Sequence, residues 1–374
     1  MNSIFIDCFG DLVDPRVERT KKHLLLDIIG LSLCGILSGA ENWEEIADFG
    51  KAHEKWFSQL LTLPNGIPSH DTLSRVFSAL NPQAFQQCCM RWLKRIKSLL
   101  PEGVVAIDGK TLKGSKTLTK CQKALHIVNA WSCENQVCLG QISVDDKSNE
   151  IPAVPELLNL LCLEGAIVTL DAMGAQTATV QAITNARADY VIALKGNQGS
   201  LCEHTSEAFK LYDQGKSQAV VNQAKDEIDA LHGRLELRAI EVMDAAEIKD
   251  LVDAHWPELS SIARLTYTRL EGDNTIKEQR FYFSSLACNQ AERLLRSIRS
   301  HWLVENHLHW SLDVTFNEDR SRIRQRNAAA NFSWMRKFSL GLLKNEPSFK
   351  ASIRRKQRKA CTDIRYLAAI VKAN

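Results

Sequence analysis

Apolar residues in the first hundred positions recur every three or four residues, which is the spacing of amphipathic helices. Asn42, Ser69 and Asn81 stand just before such stretches, where their side chains can cap the first turn. The pattern therefore predicts an all-helical N-terminal domain over residues 1–100.

The pattern changes at Pro101, where short apolar runs begin to alternate with helical stretches. Strands are predicted at 104–108, 126–132, 136–144, 166–171 and 190–195, and helices at 151–161 and 177–187. Glu134 and Asn135 supply a hairpin turn between the second and third strands. Strands that alternate with helices after an initial hairpin predict an α/β fold, with a mixed sheet flanked by helices on both faces.

Residues from about 198 to 290 lack this alternation. Strand-like runs at 235–242, 263–270 and 279–286 follow one another without periodic helices between them, so we predict a β-rich insertion. A long helix is predicted to begin at about Gln290. The second predicted domain spans 101–374 and ends in a basic C-terminal segment.

Composition narrows the class of protein. The chain has 374 residues, 45% hydrophobic and 24% charged, which is typical of a soluble protein of about two or three domains. Its longest apolar stretch, 24–37, contains Asp27 and is shorter than the roughly 20 residues that a membrane span requires. Its eleven cysteines are scattered without a C-x-x-C pair. We expect a cytoplasmic protein with reduced thiols, no membrane segment and no signal peptide.

The net charge of +3 conceals an asymmetry. Residues 291–374 contain 18 Lys or Arg and 7 Asp or Glu, a net charge of +11, which leaves −8 for residues 1–290. Such a concentration suits a surface that binds a polyanion, because each neutralised phosphate releases counterions. A solvated basic helix that contacts nothing is the open alternative.

Three acidic residues are candidates for one site. Asp108 and Asp171 each end a predicted strand, and ligands of open α/β sheets bind at the carboxyl ends of strands. Glu305 lies in line with an apolar stripe on the long helix, where an unpaired carboxylate would be costly. A cation should therefore meet Glu305. Three such acids could hold two Mg²⁺ ions about 4 Å apart, an arrangement that catalyses in-line phosphoryl transfer.

Two other sites are disfavoured. His301, Glu305 and His309 are spaced for one helix face, but His301 and His309 would lie about 12 Å apart, too far to share a zinc ion. Gly109-Lys110-Thr111 is similar to the end of a P-loop, yet Gly103 is one residue too distant for that motif.

Several motifs, taken in order, resemble the bacterial DDE-type insertion-sequence transposases of the H-repeat-associated branch, which accompany Rhs elements. The resemblance covers nearly the whole chain. The motifs are Ile107-Asp108-Gly109-Lys110-Thr111, 147–152 (KSNEIP), 171–174 (DAMG), 193–198 (ALKGNQ), His232-Gly233-Arg234, 301–310 (HWLVENHLHW) and 313–319 (DVTFNED).

This resemblance implies an RNase H-like catalytic domain with a β-rich insertion. It assigns Asp108, Asp171 and Glu305 to two bound Mg²⁺ ions, for which Mn²⁺ can substitute. Water would cut DNA at the element end, and the freed 3′-hydroxyl would attack target DNA. Because two element ends are cut together, a homodimer on paired ends is expected.

Further residues are candidates for DNA contacts. Lys195 could neutralise the scissile phosphate or be an ordinary surface lysine, and Trp302 could stack on a displaced base or belong to the core. The remaining candidates for backbone contacts are His232, Arg234, Arg299, Arg320, Arg322 and Arg324. Leu312 stands where related transposases carry a lysine seven residues beyond the glutamate, and Ala175 stands where this branch often carries cysteine.

The resemblance leaves two functions open. The first is an active DNA transposase, and the second is a decayed relic that binds DNA without cutting it. A repair nuclease with an RNase H fold is disfavoured by the predicted helical domain and the insertion.

Overall fold

A computed structural model describes residues 3–96, 103–116, 123–144, 150–230, 234–252, 256–271 and 274–372. Within these ranges nine strands form one sheet, with α-helices on both of its faces. The strands are β1 (Val104–Leu112), β2 (Leu125–Ser132), β3 (Val137–Val144), β4 (Ile167–Leu170), β5 (Asp189–Leu194), β6 (Asn222–Ala230), β7 (Arg234–Asp244), β8 (Ser261–Glu271) and β9 (Asn274–Ser284). The helices are α1 (Ser3–Phe9), α2 (Leu25–Leu37), α3 (Trp43–Ala52), α4 (Glu54–Leu60), α5 (His70–Ala79), α6 (Pro82–Ile96), α7 (Glu150–Asn159), α8 (Thr177–Asn185), α9 (Gly199–Asp213), α10 (Ala291–Val304), α11 (Arg326–Asn345), α12 (Ile353–Thr362) and α13 (Ile364–Lys372).

The first five strands form an RNase H-like mixed sheet, so the predicted fold class is confirmed. Their spatial order is β3-β2-β1-β4-β5. Strands β1, β2 and β3 pair antiparallel, as the predicted hairpin requires, whereas β1, β4 and β5 run parallel. Alternating side chains of β1 pack into two different hydrophobic cores, one on each face of the sheet, because successive residues of a strand point to opposite faces. Val105 and Ile107 pack with α7 and α8, whereas Ala106 packs with the N-terminal helices and α11.

The predicted insertion extends this sheet. Strand β9 pairs antiparallel with β5, and β8, β7 and β6 follow it outwards to complete the nine-stranded sheet. The sequence interpretation was wrong on one point, since the region contains the 15-residue helix α9. Leu201, Thr205 and Phe209 are the buried positions of α9, and a threonine among them weakens the apolar periodicity. The polar strand β6 was also missed.

Strand β1 continues four residues beyond its predicted end. Gly109 to Leu112 remain paired with β2, in a register that joins Asp108 to Asn129 and Leu112 to Leu125. The prediction that Asp108 ends its strand is therefore wrong. The polar residues after Asp108 suggested a turn, but antiparallel pairing with β2 keeps the chain extended, and Asp108 lies in the middle of a long strand.

The N-terminal helices begin at the predicted caps. The side chain of Asn42 accepts a hydrogen bond from the backbone N–H of Glu45 at 2.8 Å, and those of Ser69 and Asn81 cap α5 and α6 in the same way. Helix α11 packs against α2, α5 and α6 on one side and against β2 and β3 on the other. The N-terminal helices therefore share one hydrophobic core with α11 and the sheet.

Two expectations from composition concern the whole chain. No helix among the described residues is both long and apolar enough to cross a membrane. The ten cysteines in the described ranges are all free thiols, and five of them are buried. These cysteines therefore contribute no disulfide framework to the fold.

Candidate metal centre

The three predicted acids lie on neighbouring elements. Asp108 is at the centre of β1, and Asp171 directly follows β4, the parallel neighbour of β1. The register pairs Ala106 with Thr169, so Asp108 and Asp171 stand two residues further along their strands. Glu305 follows the last residue of α10, a helix that packs against both β1 and β4. The fold thus brings these three residues of widely different sequence position to one place beside strands β1 and β4.

His309 joins two of these acids. Its Nδ1 atom lies 3.4 Å from Oδ2 of Asp108 and 3.7 Å from Oε2 of Glu305. One possible ligand atom from each of these three residues lies within 4.8 Å of the others, which is a spacing compatible with a shared metal ion. The sequence placed His309 on one helix face with His301 and Glu305 and gave no sign of its contact with Asp108. His301 instead forms a 3.0 Å hydrogen bond between its Nδ1 and the Thr169 hydroxyl.

The helix type changes in the segment that carries Glu305 and His309. Helix α10 passes at Glu305 into two short π-helical segments, Glu305–His309 and Ser311–Thr315. Such segments are rare and occur often at functional sites. Glu305, His309 and Asp313 are each four residues apart. These three side chains face β1. Asp108 and Lys110 are two residues apart on β1, so both point to that side of the sheet.

Lys110 is the buried cation beside this group of acids. Its Nζ donates a 2.5 Å hydrogen bond to Oδ1 of Asp313, and Oδ1 of Asp319 lies 4.0 Å away. Leu312, the position where related transposases carry a lysine, is completely buried in the hydrophobic core. A side chain at that position is therefore out of reach of a ligand at the surface, and Lys110 of β1 supplies a positive charge beside Asp313.

The electrostatics of the centre favour a bound cation. Burial raises the pKa of Asp108 to about 7, and the negative charges of Glu305, Asp171 and Glu150 act in the same direction. The Gly109 N–H, which donates a 2.8 Å hydrogen bond to Oδ1 of Asp108, offsets only part of this rise. A divalent cation would relieve the repulsion among these carboxylates, because it replaces the proton on Asp108 with a larger positive charge.

His309 is held in its neutral form. Burial lowers its pKa to about 3, and the positive charges of Lys110 and Lys337 reinforce the effect. Its Nε2 atom is buried and has no hydrogen-bond partner among the described residues. A neutral imidazole beside two carboxylates is a donor set that divalent metals accept. Asp108, Glu305 and His309 could therefore hold one ion, with Asp171 beside them on the next strand.

A fourth acid lies behind Asp108, and sequence reasoning did not single it out as a site residue. Glu150 begins α7, and its Oε2 lies 3.1 Å from Nε2 of buried His126, whose Nδ1 is hydrogen bonded to the Thr111 hydroxyl. Gly109 makes room for this pair, since a β-carbon there would lie 2.5 Å from Oε1 of Glu150. The resemblance motif 147–152 included Glu150 without a role, and its charge acts on Asp108.

The candidates for DNA contacts lie in different surroundings. Lys195 is exposed directly after β5, and Asn197 ties its loop to that of Asp171 by donating a 2.6 Å hydrogen bond to the Ala172 carbonyl. Trp302 is half-buried, with the guanidinium groups of Arg280 and Arg238 at 5.0 and 5.5 Å from its ring.

The arginine candidates separate into two groups. Arg299 forms an ion pair with Asp226 of β6. Arg320, Arg322 and Arg324 are exposed and line a groove of about 430 Å³ between their loop and the start of α3. Of the other two candidates, Arg234 begins β7, and His232 lies outside the described residues.

Comparison with known proteins identifies the class of this chain. Residues 100–342 match the family model of the transposase DDE domain, and residues 6–93 match the model of the segment associated with that domain. The chain belongs to the transposase DDE-domain family.

Individual relatives give the branch within that family. The chain is 39% identical over 371 residues to the "H repeat-associated putative transposase YhhI" of Escherichia coli K12, covering 96% of this chain and 95% of YhhI. It is 50% identical over 65 residues to the "Inactive transposase YbfQ" of the same strain, covering 17% of this chain and 77% of YbfQ. The predicted resemblance to the H-repeat-associated branch is confirmed.

A solved structure is also similar. The cryo-EM structure of a piggyBac transposase synaptic complex with hairpin DNA aligns with a TM-score of 0.41 and 9% sequence identity, covering 99% of this chain and 77% of that chain.

Proposed function

We propose that this chain is a metal-dependent DNA transposase that cuts DNA at the ends of its element and joins the freed ends to target DNA. The observation that carries the proposal is the meeting of Asp108 with Glu305 and His309 at one point, beside Asp171 on the adjacent strand. Membership of the transposase DDE-domain family supports the same reaction class.

Bound Mg²⁺, or Mn²⁺ in its place, supplies a Lewis acid that activates the attacking oxygen and stabilises the leaving oxygen. Asp108, Asp171 and Glu305 would hold the metal, since the charges of Glu305 and Asp171 both act on the Asp108 carboxylate. Lys195, exposed on the loop tied to that of Asp171, is positioned to neutralise a phosphate of the DNA strand. The same site serves both steps, because each is an in-line displacement at phosphorus.

The exposed arginines at 320 and 322 provide phosphate contacts near the site. They follow the segment that contains Glu305, so DNA held by them would run past the acids. Both ends of an element require a catalytic site, and we therefore propose that two copies act together on paired ends.

A cleavage assay tests the proposal. Labelled DNA that carries the flanking element end is incubated with the full-length protein in Mg²⁺, in Mn²⁺ and in EDTA. Nicking at the element boundary is expected with either metal and is expected to be absent in EDTA. Asp108→Ala should reduce the rate at least a hundredfold, whereas Asp48→Ala, which removes an exposed carboxylate on α3, should leave it unchanged. Equal cleavage by Asp108→Ala and wild type would contradict the assignment.

A decayed relic that binds DNA without cutting is the second candidate. It is favoured by the name of the relative YbfQ, which describes that protein as inactive. Binding of element-end DNA without cleavage under every metal condition would support the relic and overturn the catalytic proposal.

A further inference from the structure

His309 occupies a place that the three-acid description of the centre does not explain. It is only 8% exposed, and it lies on the π-helical segment that begins at Glu305. Its Nδ1 faces two carboxylates, while its Nε2 is buried without a partner in the described part of the chain. A buried polar side chain normally has hydrogen-bond partners at good distances, so the two long contacts of Nδ1 call for an explanation.

We propose that His309 is a direct metal ligand, so that one cation position is formed by Asp108, Glu305 and the Nδ1 atom of His309. This inference rests on the proposed metal-dependent function and adds a nitrogen ligand to a site otherwise formed by oxygen atoms.

The interatomic distances fit coordination better than hydrogen bonding. Ordinary N–H···O hydrogen bonds have heavy-atom distances of about 2.7–3.2 Å, and Nδ1 lies beyond that range from both carboxylates. Two ligands of one ion, each about 2.1 Å from it, must lie within about 4.2 Å of each other. The two separations that involve Nδ1, 3.4 and 3.7 Å, satisfy that limit. The ligand atoms of all three residues lie within 4.8 Å of one another, so a small movement of the exposed Glu305 carboxylate would complete the site. An ion at this point would bind the in-plane lone pair of Nδ1, the nitrogen that lies beside the two carboxylates.

The two neighbouring histidines do not share this environment. His301 is hydrogen bonded to Thr169, which occupies the nitrogen that would otherwise be free. His307 lies on the same π-helical segment but is only partly buried and has no contact with Asp108 among the described ion pairs. His307→Gln is therefore a matched control for His309→Gln, since both remove an imidazole from one short segment.

A nitrogen ligand changes which metals the site prefers. Mg²⁺ favours oxygen ligands, whereas imidazole favours transition metals. The wild-type protein should therefore bind Mn²⁺ more tightly than Mg²⁺. His309→Gln should weaken Mn²⁺ binding at least tenfold and change Mg²⁺ binding less, because the lost ligand contributes mainly to the transition metal.

Pulsed electron paramagnetic resonance on bound Mn²⁺ gives a direct test. In the full-length protein loaded with Mn²⁺, we expect a nitrogen coupling from a coordinated imidazole. Growth with ¹⁵N-labelled histidine should convert the ¹⁴N pattern to the ¹⁵N pattern, and this measurement needs no variant that might misfold. The coupling should disappear in His309→Gln and persist in His307→Gln, with circular dichroism used to confirm that both variants are folded.

The outcomes separate this inference from the proposed function. Mn²⁺ that binds to wild type and not to Asp108→Asn, but shows no histidine coupling, would overturn the role of His309 and leave the metal-dependent transposase intact. Coupling that persists in His309→Gln would likewise overturn it. Failure of wild type to bind Mn²⁺ at all would overturn both proposals.

Discussion

At the scale of single residues, Asp108 is held in a state that costs the metal-free protein stability. Burial and three neighbouring carboxylates raise its pKa to about 7, well above the value of about 3.9 for an unfolded aspartate. Between these two values the folded state binds a proton that the unfolded state has released. The contribution of Asp108 to the free energy of unfolding is therefore greatest below pH 4. It falls as the pH rises and is lost once the pH has passed 7.

Asp108→Asn should accordingly stabilise the protein in EDTA. Each pKa unit corresponds to about 1.4 kcal/mol, and the side chain is 27% exposed, so we expect a gain of about 1–3 kcal/mol at pH 8. The gain should be small near pH 4, because an amide and a protonated acid are then both neutral. Urea unfolding of wild type and variant across this range measures the difference.

Asp48→Asn supplies the control, since its carboxylate is 74% exposed on α3. It should follow the wild-type pH dependence. Added Mn²⁺ should stabilise wild type and leave Asp108→Asn unchanged, because the variant lacks the ionised oxygen that binds the ion. If Asp108→Asn were less stable than wild type at pH 8 in EDTA, the Asp108 carboxylate would not be destabilised by its neighbours.

The three acids could be proposed from sequence because each stands beside a local apolar pattern, and their roles stay a prediction. Asp108 and Asp171 were predicted from the apolar runs that precede them. The cost argument that led to Glu305 was wrong, because its side chain is 75% exposed and is not buried on the apolar stripe. His309 was missed because its partner Asp108 lies about 200 positions earlier, on a strand, and only the tertiary structure brings them together. The helical spacing argued against a zinc ion shared by His301 and His309, and it gave no information about contacts with the sheet.

At the scale of elements, one glycine allows two loops to meet beside the site. The short 3₁₀ turn Lys113–Ser115 follows β1. A second turn, Glu318–Arg320, begins the loop that also carries Arg322 and Arg324, here called the arginine loop. A β-carbon on Gly114 would lie 1.9 Å from the backbone oxygen of Ser321. A backbone atom cannot rotate away as a side chain can, so position 114 requires glycine for the two turns to pack.

Gly114→Ala should therefore destabilise the protein by about 2 kcal/mol or more, through displacement of the second turn. Gly196→Ala is the control, because a β-carbon at 196 would meet nothing within 4 Å, and we expect a change within about 0.5 kcal/mol. Denaturant unfolding of the two variants compares them directly. Equal stability of both variants would mean that the second turn is free to move.

The elements that the sequence did not predict share a physical reason. Strand β6 is the outer edge of the sheet, and its sequence NQAKDEIDA carries charges where an inner strand carries apolar residues. The π-helical segments after α10 are only five residues long each, which is too short for their different spacing to show in the apolar periodicity. Inner strands such as β4 and β5 are buried on both faces, and their continuous apolar runs made them predictable.

At the scale of the whole molecule, positive charge concentrates in the last 84 residues, and the fold brings part of it beside the acids. The loop that carries Arg320 and Arg322 is anchored where it begins. A hydrogen bond joins Asn317 to Glu41, and Lys113 donates a 2.6 Å hydrogen bond to Asp319. A fixed loop with outward arginines presents its charge at a constant place relative to the metal centre, which is what phosphate positioning requires.

The salt dependence of DNA binding measures this contribution. Each phosphate contact adds about 0.9 to the slope of log affinity against log salt concentration. The double variant Arg320→Gln, Arg322→Gln should reduce that slope by about 2 when binding to element-end DNA is measured in EDTA, where no cleavage occurs. Lys51→Gln, Arg95→Gln removes two exposed charges from the N-terminal helices and keeps the same net charge as the first variant. Equal slopes for the two variants would show that net charge alone drives binding, whereas a loss confined to the first would place the DNA along the arginine loop, next to Asp108 and Glu305.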